Sequence, residues 1–154
     1  MTERNKKLLL DDLAKRLGND VKMGDNRGHI GTLKIIDHIH NTIGFKTTNM
    51  YGEDSVLIKG RIDFWKPYLR PMQSMTKVEK EEYRKLCKKV VRKLYVADGK
   101  SWSSNKTSYR YFGTKTEYYD TYQSIDYLIS RHFDYRGLIG KKLALKATKG
   151  MYEF

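Results

Sequence analysis

The sequence predicts an α+β fold in which a small antiparallel sheet of three or four strands packs with about three helices. Apolar residues recur at helical spacing in two separate segments, and a helix-capping signature starts a third helix. Between the N-terminal segment and the capping signature, β-branched and polar residues alternate as they do in strands. The chain has 154 residues. This length suits a single domain, 1–154, that buries roughly 70% of its unfolded surface.

The first helix is predicted over residues 3–17. Leu9, Leu13 and Leu17 recur every four residues, so they share one face of a helix. Thr2 can cap the start of this helix, and a glycine follows its last turn.

Residues 21–64 are predicted to form the sheet. The stretches DNRG, DHIHN and MYGED are typical of turns, and they interrupt an alternation of β-branched and polar residues. These interruptions place strands near 29–36, 42–48 and 55–63.

An extended linker and a basic helix are expected after the sheet. Pro67 and Pro71 favour an extended chain, because proline interrupts helices and restricts the residue before it. Thr76 and Glu79 then have the spacing of a capping box, in which each side chain bonds to the backbone N–H of the other residue. The apolar period that follows predicts a basic helix over 76–95.

The rest of the chain divides into an aromatic segment and a C-terminal helix with its tail. Residues 96–120 are rich in Ser, Thr, Gly and aromatic residues, which predicts a long loop or a two-stranded hairpin. A third helix is expected over 121–132, because Tyr122 and Ile125 begin an apolar face at helical spacing. The C-terminal region, 121–154, ends in a tail.

The charge balance is strongly basic. Lys and Arg number 31 against 18 Asp and Glu, which gives a net charge of +13. A field of this size attracts polyanions, so nucleic acid is the expected partner. The alternative is a lysine-rich surface that contacts only solvent.

The composition also indicates the compartment. The apolar runs are far shorter than the roughly 20 residues that span a bilayer, and no signal peptide is recognised. Cys87 is the only cysteine, which excludes an internal disulfide and a Cys-x-x-Cys metal or redox site. A cytoplasmic protein without membrane association is expected.

The predicted basic helix carries the strongest functional signal. At about 100° per residue, its basic residues fill one half of a helical wheel and its apolar residues fill the other. No acidic residue lies between 84 and 93 to compensate the bases, so this face predicts contact with a polyanion. The alternative is again a solvated lysine-rich face. The candidate contacts are Arg84, Lys85, Lys88, Lys89, Arg92 and Lys93.

The aromatic segment adds a second group of candidate contacts. Its letters SYRYFGTK interleave aromatic and basic side chains, a mixture that stacks on bases while it holds backbone phosphates. The alternative is a hairpin whose rings cover the core. The candidate nucleic-acid contacts here are Tyr109, Arg110, Tyr111 and Lys115.

Two stretches of the chain resemble a known family. YLRPMQSMTKVEKEEY at 68–83 and IDYLISRHFDYRGLIGKKLALKATKGMY at 125–152 are similar to the LRPM-x-SMT and HFDYRGLI segments of an uncharacterised family of small phage and prophage proteins of gut bacteria. The resemblance covers about a third of the chain. It implies a phage accessory protein in the cytoplasm of a bacterial host, and it assigns no catalytic residue. Family members usually have glycine where this chain has Lys142.

His132, Asp134 and Arg136 form a candidate catalytic cluster, because residues of these types stand at alternate positions. No motif fixes a nucleophile or a paired base beside them. The alternative is a structural role at the end of the third helix, where Gly137 can form a turn. We favour the structural role and expect no catalytic residue.

Two smaller motifs are also interpreted as structural. The letters DGKS at 98–101 end like a phosphate-binding loop, but Leu94 stands where that motif requires glycine. His38 and His40 alternate, with His29 as a distant third candidate metal ligand, but no motif fixes the position of this third ligand. No metal and no cofactor are therefore expected.

These observations lead to three functional hypotheses. The first is a non-enzymatic phage-type accessory protein that binds RNA, DNA or a nucleoprotein through the basic helix and the aromatic segment. The second is an anti-defence inhibitor that binds a nucleic-acid-dependent effector protein of the host. The third is an enzyme that uses the cluster at 132–136.

Overall fold

The computed structural model describes residues 1–48, 54–100 and 107–152 of the chain. Within these residues it contains three α-helices, eight β-strands and a 3₁₀ turn at Met72–Ser74. The α+β prediction is therefore confirmed. In chain order the elements are α1 (Glu3–Arg16), β1 (Lys22–Asp25), β2 (Ile30–Asp37), β3 (Thr42–Thr48), β4 (Asp54–Arg61), β5 (Trp65–Leu69), α2 (Lys77–Leu86), β6 (Lys88–Lys100), β7 (Thr107–Tyr119), α3 (Tyr122–Ser130) and β8 (Leu145–Lys146).

The chain forms two compact units. The first comprises residues 1–76 and 125–154, and it contains α1, most of α3 and a six-stranded sheet. The second comprises residues 77–124 and contains α2 and a two-stranded hairpin. A single domain over 1–154 stays a prediction. In the described part of the chain, no helix has the length and apolar character needed to cross a membrane.

The six-stranded sheet has the strand order β4-β3-β2-β1-β5-β8. Neighbouring strands are antiparallel except β5 and β8, which are parallel. The prediction of three or four strands is therefore too low. It omits β1, which has only four residues, and β5, whose Pro67 favours a linker in the sequence. β5 pairs with β8 only at Tyr68 and Leu69, so Pro67 lies where β5 has a single neighbour. Strands tolerate proline in this setting.

The hydrophobic core of the first unit lies between α1 and one face of the sheet. Leu9, Leu10 and Leu13 from α1 are buried, as their helical spacing predicts. Phe45 and Trp65 of the sheet contact each other with their ring centroids 3.8 Å apart. Burial of one such side chain contributes about 2 kcal/mol. The remaining core residues are Val21, Met23, Leu33, Ile43, Ile62, Leu69, Leu138, Leu143 and Ala144.

The N-terminal elements agree closely with the predictions. α1 ends one residue before the predicted limit of 3–17, and the Thr2 hydroxyl accepts a hydrogen bond from Asn5 N at 3.3 Å. β3 coincides with the predicted strand 42–48. β2 and β4 begin and end within two residues of their predicted limits.

The basic helix predicted over 76–95 is wrong in its second half. α2 ends at Leu86, and β6 begins at Lys88. Val90 and Val91 are β-branched and favour a strand, and the backbone from Lys88 onward pairs with β7. Four of the six predicted bases therefore lie on a strand, where they alternate between two faces.

The aromatic segment predicted over 96–120 belongs to the same hairpin. Of the two predicted alternatives, the two-stranded hairpin is correct, but it already begins at Lys88. α3 ends at Ser130, two residues before its predicted limit. Tyr122 is 92% exposed and does not belong to the buried face, which Leu128 helps to form.

Candidate nucleic-acid interface

The hairpin of β6 and β7 is a two-stranded ribbon with 13 residues in each strand. Its strands carry seven basic and two acidic residues. Directly opposed residues share a face of the ribbon, and neighbours in a strand alternate between faces. The register assigns Lys88, Val90, Arg92, Lys115, Glu117 and Tyr119 to one face, the ion-paired face. It assigns Lys89, Val91, Lys93, Thr114, Thr116 and Tyr118 to the other, the basic face.

Glu117 pairs with two of the three bases of the ion-paired face. Its carboxylate lies 3.3 Å from Arg92 Nε and 2.8 Å from Lys115 Nζ. The Tyr119 hydroxyl donates to the same carboxylate at 2.9 Å and accepts from Arg92 Nη2 at 3.1 Å. Hydrogen bonds from Lys115 and Tyr119 lower the pKa of Glu117, so this acid is charged whenever the bases are. The predicted contacts Arg92 and Lys115 therefore share one carboxylate.

The basic face keeps its charge. Within the described residues, Lys89 and Lys93 make no ion pair, and this face contains no carboxylate. Arg84 of α2 adjoins the face, since its guanidinium carbon lies 5.9 Å from the ring centroid of Tyr118. Val91 and Tyr118 are 55% and 46% exposed. Three cations thus lie on or beside a face that also carries an accessible aromatic ring and a row of threonine hydroxyls.

The junctions of the ribbon fix it against the end of α2. The Thr121 hydroxyl donates to Leu86 O at 2.7 Å, and the Tyr83 hydroxyl donates to Asp120. Burial and this hydrogen bond raise the pKa of Tyr83, which keeps the donor protonated. Thr121 also exchanges hydrogen bonds with Ser124 and so caps α3. These contacts hold Arg84 beside the basic face.

The structure brings only part of the predicted contact set together. Lys85 is exposed on α2, and Lys88 lies on the ion-paired face. The side chains of Tyr109, Arg110 and Tyr111 lie outside the described residues, although their backbone belongs to β7. The predicted residues at or beside the basic face are Arg84, Lys89 and Lys93.

Sequence reasoning missed the other members of this interface. Thr114, Thr116 and Tyr118 alternate in the letters TKTEY, and this period of two is the signal of a strand face. Glu117 pairs with Arg92 of β6, which is distant in sequence, so only the strand register reveals this contact.

His132 has a structural position in the first unit. Its side chain is buried, and its ring stacks on that of Tyr152 with a centroid distance of 3.8 Å. Burial, and then the charges of Arg16 and Arg70, lower the pKa of His132 from 6.5 to about 4. The neutral, buried imidazole packs against Tyr152 of the C-terminal tail. The Tyr152 hydroxyl also donates to Tyr68 O at 2.8 Å, and the two contacts together hold the tail in place.

Asp134 and Arg136 also have partners inside the fold. The Asp134 carboxylate accepts hydrogen bonds from Leu138 N at 2.7 Å and from Ile139 N at 2.8 Å. Arg136 Nε lies 3.7 Å from the buried carboxylate of Asp12. These contacts support the structural interpretation of the cluster at 132–136.

We expect Asp134→Ala to lower the free energy of unfolding by about 2 kcal/mol, because one buried and one partly buried backbone N–H group lose their acceptor. Urea denaturation followed by circular dichroism measures this change. Binding of nucleic acid should stay within about twofold of wild type, since the Asp134 side chain is buried. Unchanged stability combined with lost function would instead support a catalytic or contact role.

The two stretches that carry the family resemblance lie against each other. Arg70 N donates to His132 O, and Asp134 N donates to Arg70 O, both at 2.8 Å. The Arg70 guanidinium carbon lies 4.2 Å from the ring centroid of Phe133. Lys142, where the resemblance implies glycine, has a φ of 60°, in the left-handed region that glycine favours. The contacts between the two stretches thus stabilise the fold of the first unit.

The histidines considered as metal ligands bond to carboxylates within turns. His29 Nδ1 lies 2.8 Å from Asp25 Oδ2, and His40 Nδ1 lies 2.8 Å from Asp37 Oδ2. These hydrogen bonds lower the pKa of both carboxyl groups. Among the residues that the structure describes, no group of three His, Cys, Asp or Glu side chains is placed to hold a metal ion.

Comparison with known proteins gives no match. No family model matches the chain, and no curated protein and no solved structure is significantly similar to it. A functional proposal therefore starts from the geometry of the ribbon.

Proposed function

We propose that the protein binds nucleic acid through the basic face of the ribbon and acts as a non-enzymatic accessory protein of phage type. The separation of paired and unpaired bases on the ribbon carries the proposal. Glu117 pairs with Arg92 and Lys115 on one face, whereas Arg84, Lys89 and Lys93 make no ion pair at the other among the described residues. Uncompensated cations bind phosphates with release of counterions, which is the main source of affinity for nucleic acid.

The shape of the ribbon also suits a nucleic-acid groove. The major groove of B-form DNA admits a two-stranded β-ribbon. At roughly 3.3 Å per residue, strands of this length extend about 40 Å. Thr114, Thr116 and Tyr118 add hydroxyl groups to the basic face, and such groups bond to phosphates and base edges. The basic face therefore offers both cations and neutral donors.

The second candidate is the anti-defence inhibitor, and the open edges of the ribbon favour it. In the described residues, β6 and β7 pair only with each other, so each has an edge that can add a strand of a partner protein. The charge favours direct binding instead, because a channel that holds nucleic acid is itself basic and would repel the basic face. Recovery of one host protein with this chain after nuclease treatment would favour the inhibitor.

The decisive variant neutralises the basic face by Arg84→Gln, Lys89→Gln and Lys93→Gln. We expect its affinity for a labelled DNA duplex to fall at least tenfold, and the slope of log affinity against log salt to fall by about 0.9 for each lost phosphate contact. Fluorescence anisotropy titrations over a range of salt concentrations measure both quantities. Duplex RNA in a parallel titration defines which nucleic acid is preferred.

A matched control removes the same charge from the ion-paired face by Lys88→Gln, Arg92→Gln and Lys115→Gln. Surface substitutions of this kind shift stability by only about 0.5 kcal/mol each, so both variants should fold. The control should bind within about threefold of wild type, because Glu117 already compensates two of its three bases. Equal losses in the two variants, or none in either, would contradict the proposal.

A further inference from the structure

The six-stranded sheet has a second face, which points away from the core. Leu33, Ile43 and Phe45 are buried on the core side, so their neighbours in each strand point to the opposite side. We call this opposite side the outer sheet face. Its basic residues are Lys22, Lys34, Lys46, Lys59, Arg61 and Lys66.

The strand register gathers these bases on one surface. Lys22 and Lys46 both pair with Thr32, so the three form a row across β1, β2 and β3. Lys59 pairs with Gly44 in the adjacent part of β4. Lys66 of β5 pairs with Gly24 of β1. Small or hydroxylated residues stand between several of these bases, and the exposed side chains of Ile30 and Ile35 lie in the same rows.

Three of the six bases already have partners. Lys34 Nζ lies 2.5 Å from Asp20 Oδ1, and this hydrogen bond lowers the pKa of Asp20. Arg61 Nη2 lies 3.2 Å from Asp63 Oδ2. Lys22 Nζ donates to the Thr32 hydroxyl at 3.0 Å.

The other three bases have neither kind of partner among the described residues, whereas Lys22 keeps its charge because the Thr32 hydroxyl is neutral. Within the residues that the structure describes, Lys46, Lys59 and Lys66 make no ion pair. The two on β3 and β4 are exposed, and the one on β5 is half-buried. At about 4.8 Å between strands, the positions from β5 to β4 span roughly 19 Å, a width of five to six base pairs at about 3.4 Å each.

We infer that the outer sheet face is a second binding surface, which contacts the phosphate backbone of a nucleic-acid duplex. The inference rests on the proposed function, since it assigns a further contact to the same ligand. A duplex is favoured over a single strand, because single strands are bound by aromatic side chains on which bases stack. Among the described side chains, this face has one tyrosine, Tyr68, whose ring covers Gly24. The surface therefore offers charge without a stacking platform.

The test removes the charges of the three bases that have no such partner among the described residues by Lys46→Gln, Lys59→Gln and Lys66→Gln in the full chain. Anisotropy titrations use a labelled DNA duplex and a labelled RNA duplex of about 20 base pairs, with an oligothymidylate of equal length as the single strand. We expect the affinity for duplex to fall at least fivefold and the salt slope to fall by about 0.9 for each lost contact. We also expect wild type to bind the duplexes more tightly than the single strand.

A charge-matched control separates a local contact from the effect of net charge. Lys7→Gln, Lys15→Gln and Lys149→Gln remove three exposed bases elsewhere in the first unit. This control should bind duplex within about twofold of wild type. If the triple variant does not fold, Lys59→Gln alone replaces it, with a proportionally smaller change in the slope.

The outcomes for the inference and for the proposed function are distinct. If the basic-face variant of the ribbon weakens binding while the outer-face variant behaves like its control, the inference is overturned and the proposed function stands. If neither variant changes binding, or wild type binds no nucleic acid, both are overturned. Tighter binding of the oligothymidylate than of the duplexes would overturn the assignment to duplex. Selective loss in the outer-face variant supports the inference.

Discussion

Replacement of Arg16 by methionine is expected to lower the free energy of unfolding by about 3–5 kcal/mol. Arg16 and Asp12 are fully buried, and Arg16 Nε lies 2.6 Å from Asp12 Oδ2. Arg16 Nη2 also donates to Phe133 O at 2.8 Å, which joins α1 to the segment after α3. Loss of the guanidinium leaves a buried carboxylate whose nearest remaining cation is Arg136, 3.7 Å away. A buried charge without a close partner is among the most destabilising single changes.

A second variant tests whether the cost comes from the orphaned charge. Asp12→Leu with Arg16→Met removes both ions and leaves apolar side chains of similar length, so it should recover most of the loss. Urea denaturation of wild type, both single variants and the double variant gives the coupling energy of the pair. A loss below about 1 kcal/mol for Arg16→Met, or strictly additive effects, would contradict a buried ion pair at this position.

Sequence patterns predicted the first unit well where local signals were strong. The leucines of α1 recur at helical spacing, Thr2 caps the helix, and turn-forming stretches separate β2, β3 and β4. Each of these signals acts within a few residues of the structure it determines. They required no knowledge of the tertiary contacts.

The switch from α2 to β6 could not be predicted in this way. Residues 88–95 read KKVVRKLY, in which pairs of basic residues alternate with pairs of apolar or aromatic residues. This pattern also fits a helix with one basic and one apolar face. The same doublets place one base and one valine on each face of a strand. The choice depends on pairing with β7, which is distant in sequence and supplies Glu117.

The sequence also did not predict which ionisable side chains are buried. Asp12 and Arg16 have the i,i+4 spacing of an ordinary surface pair, yet both are inaccessible to solvent. The sequence predicted a structural role for His132 at the end of the third helix. Burial, and then the charges of Arg16 and Arg70, lower the pKa of His132 and favour its neutral form. The charge state of this histidine is therefore set by tertiary contacts.

The stability of the first unit should fall as the pH is lowered from about 6.5 to about 4 because of His132. Burial, followed by the charges of Arg16 and Arg70, lowers the pKa of this side chain to about 4, whereas in the unfolded chain it titrates near 6.5. Within this window the unfolded state binds the additional proton, so acid favours unfolding. The loss amounts to at most about 3 kcal/mol, and it is absent above pH 6.5, where both states are neutral.

His132→Asn is the matched variant, because asparagine tolerates the positive φ of 59° at this position and does not titrate. The variant loses the ring that stacks on Tyr152, so its stability at pH 7 should be lower than that of wild type. Its stability should, however, change much less between pH 6.5 and pH 4.5. Asp20, Asp25 and Asp37 have lowered pKa values and titrate below this window, so they do not mask the difference. Parallel pH dependences of the two proteins in urea denaturation would show that His132 is not the group responsible.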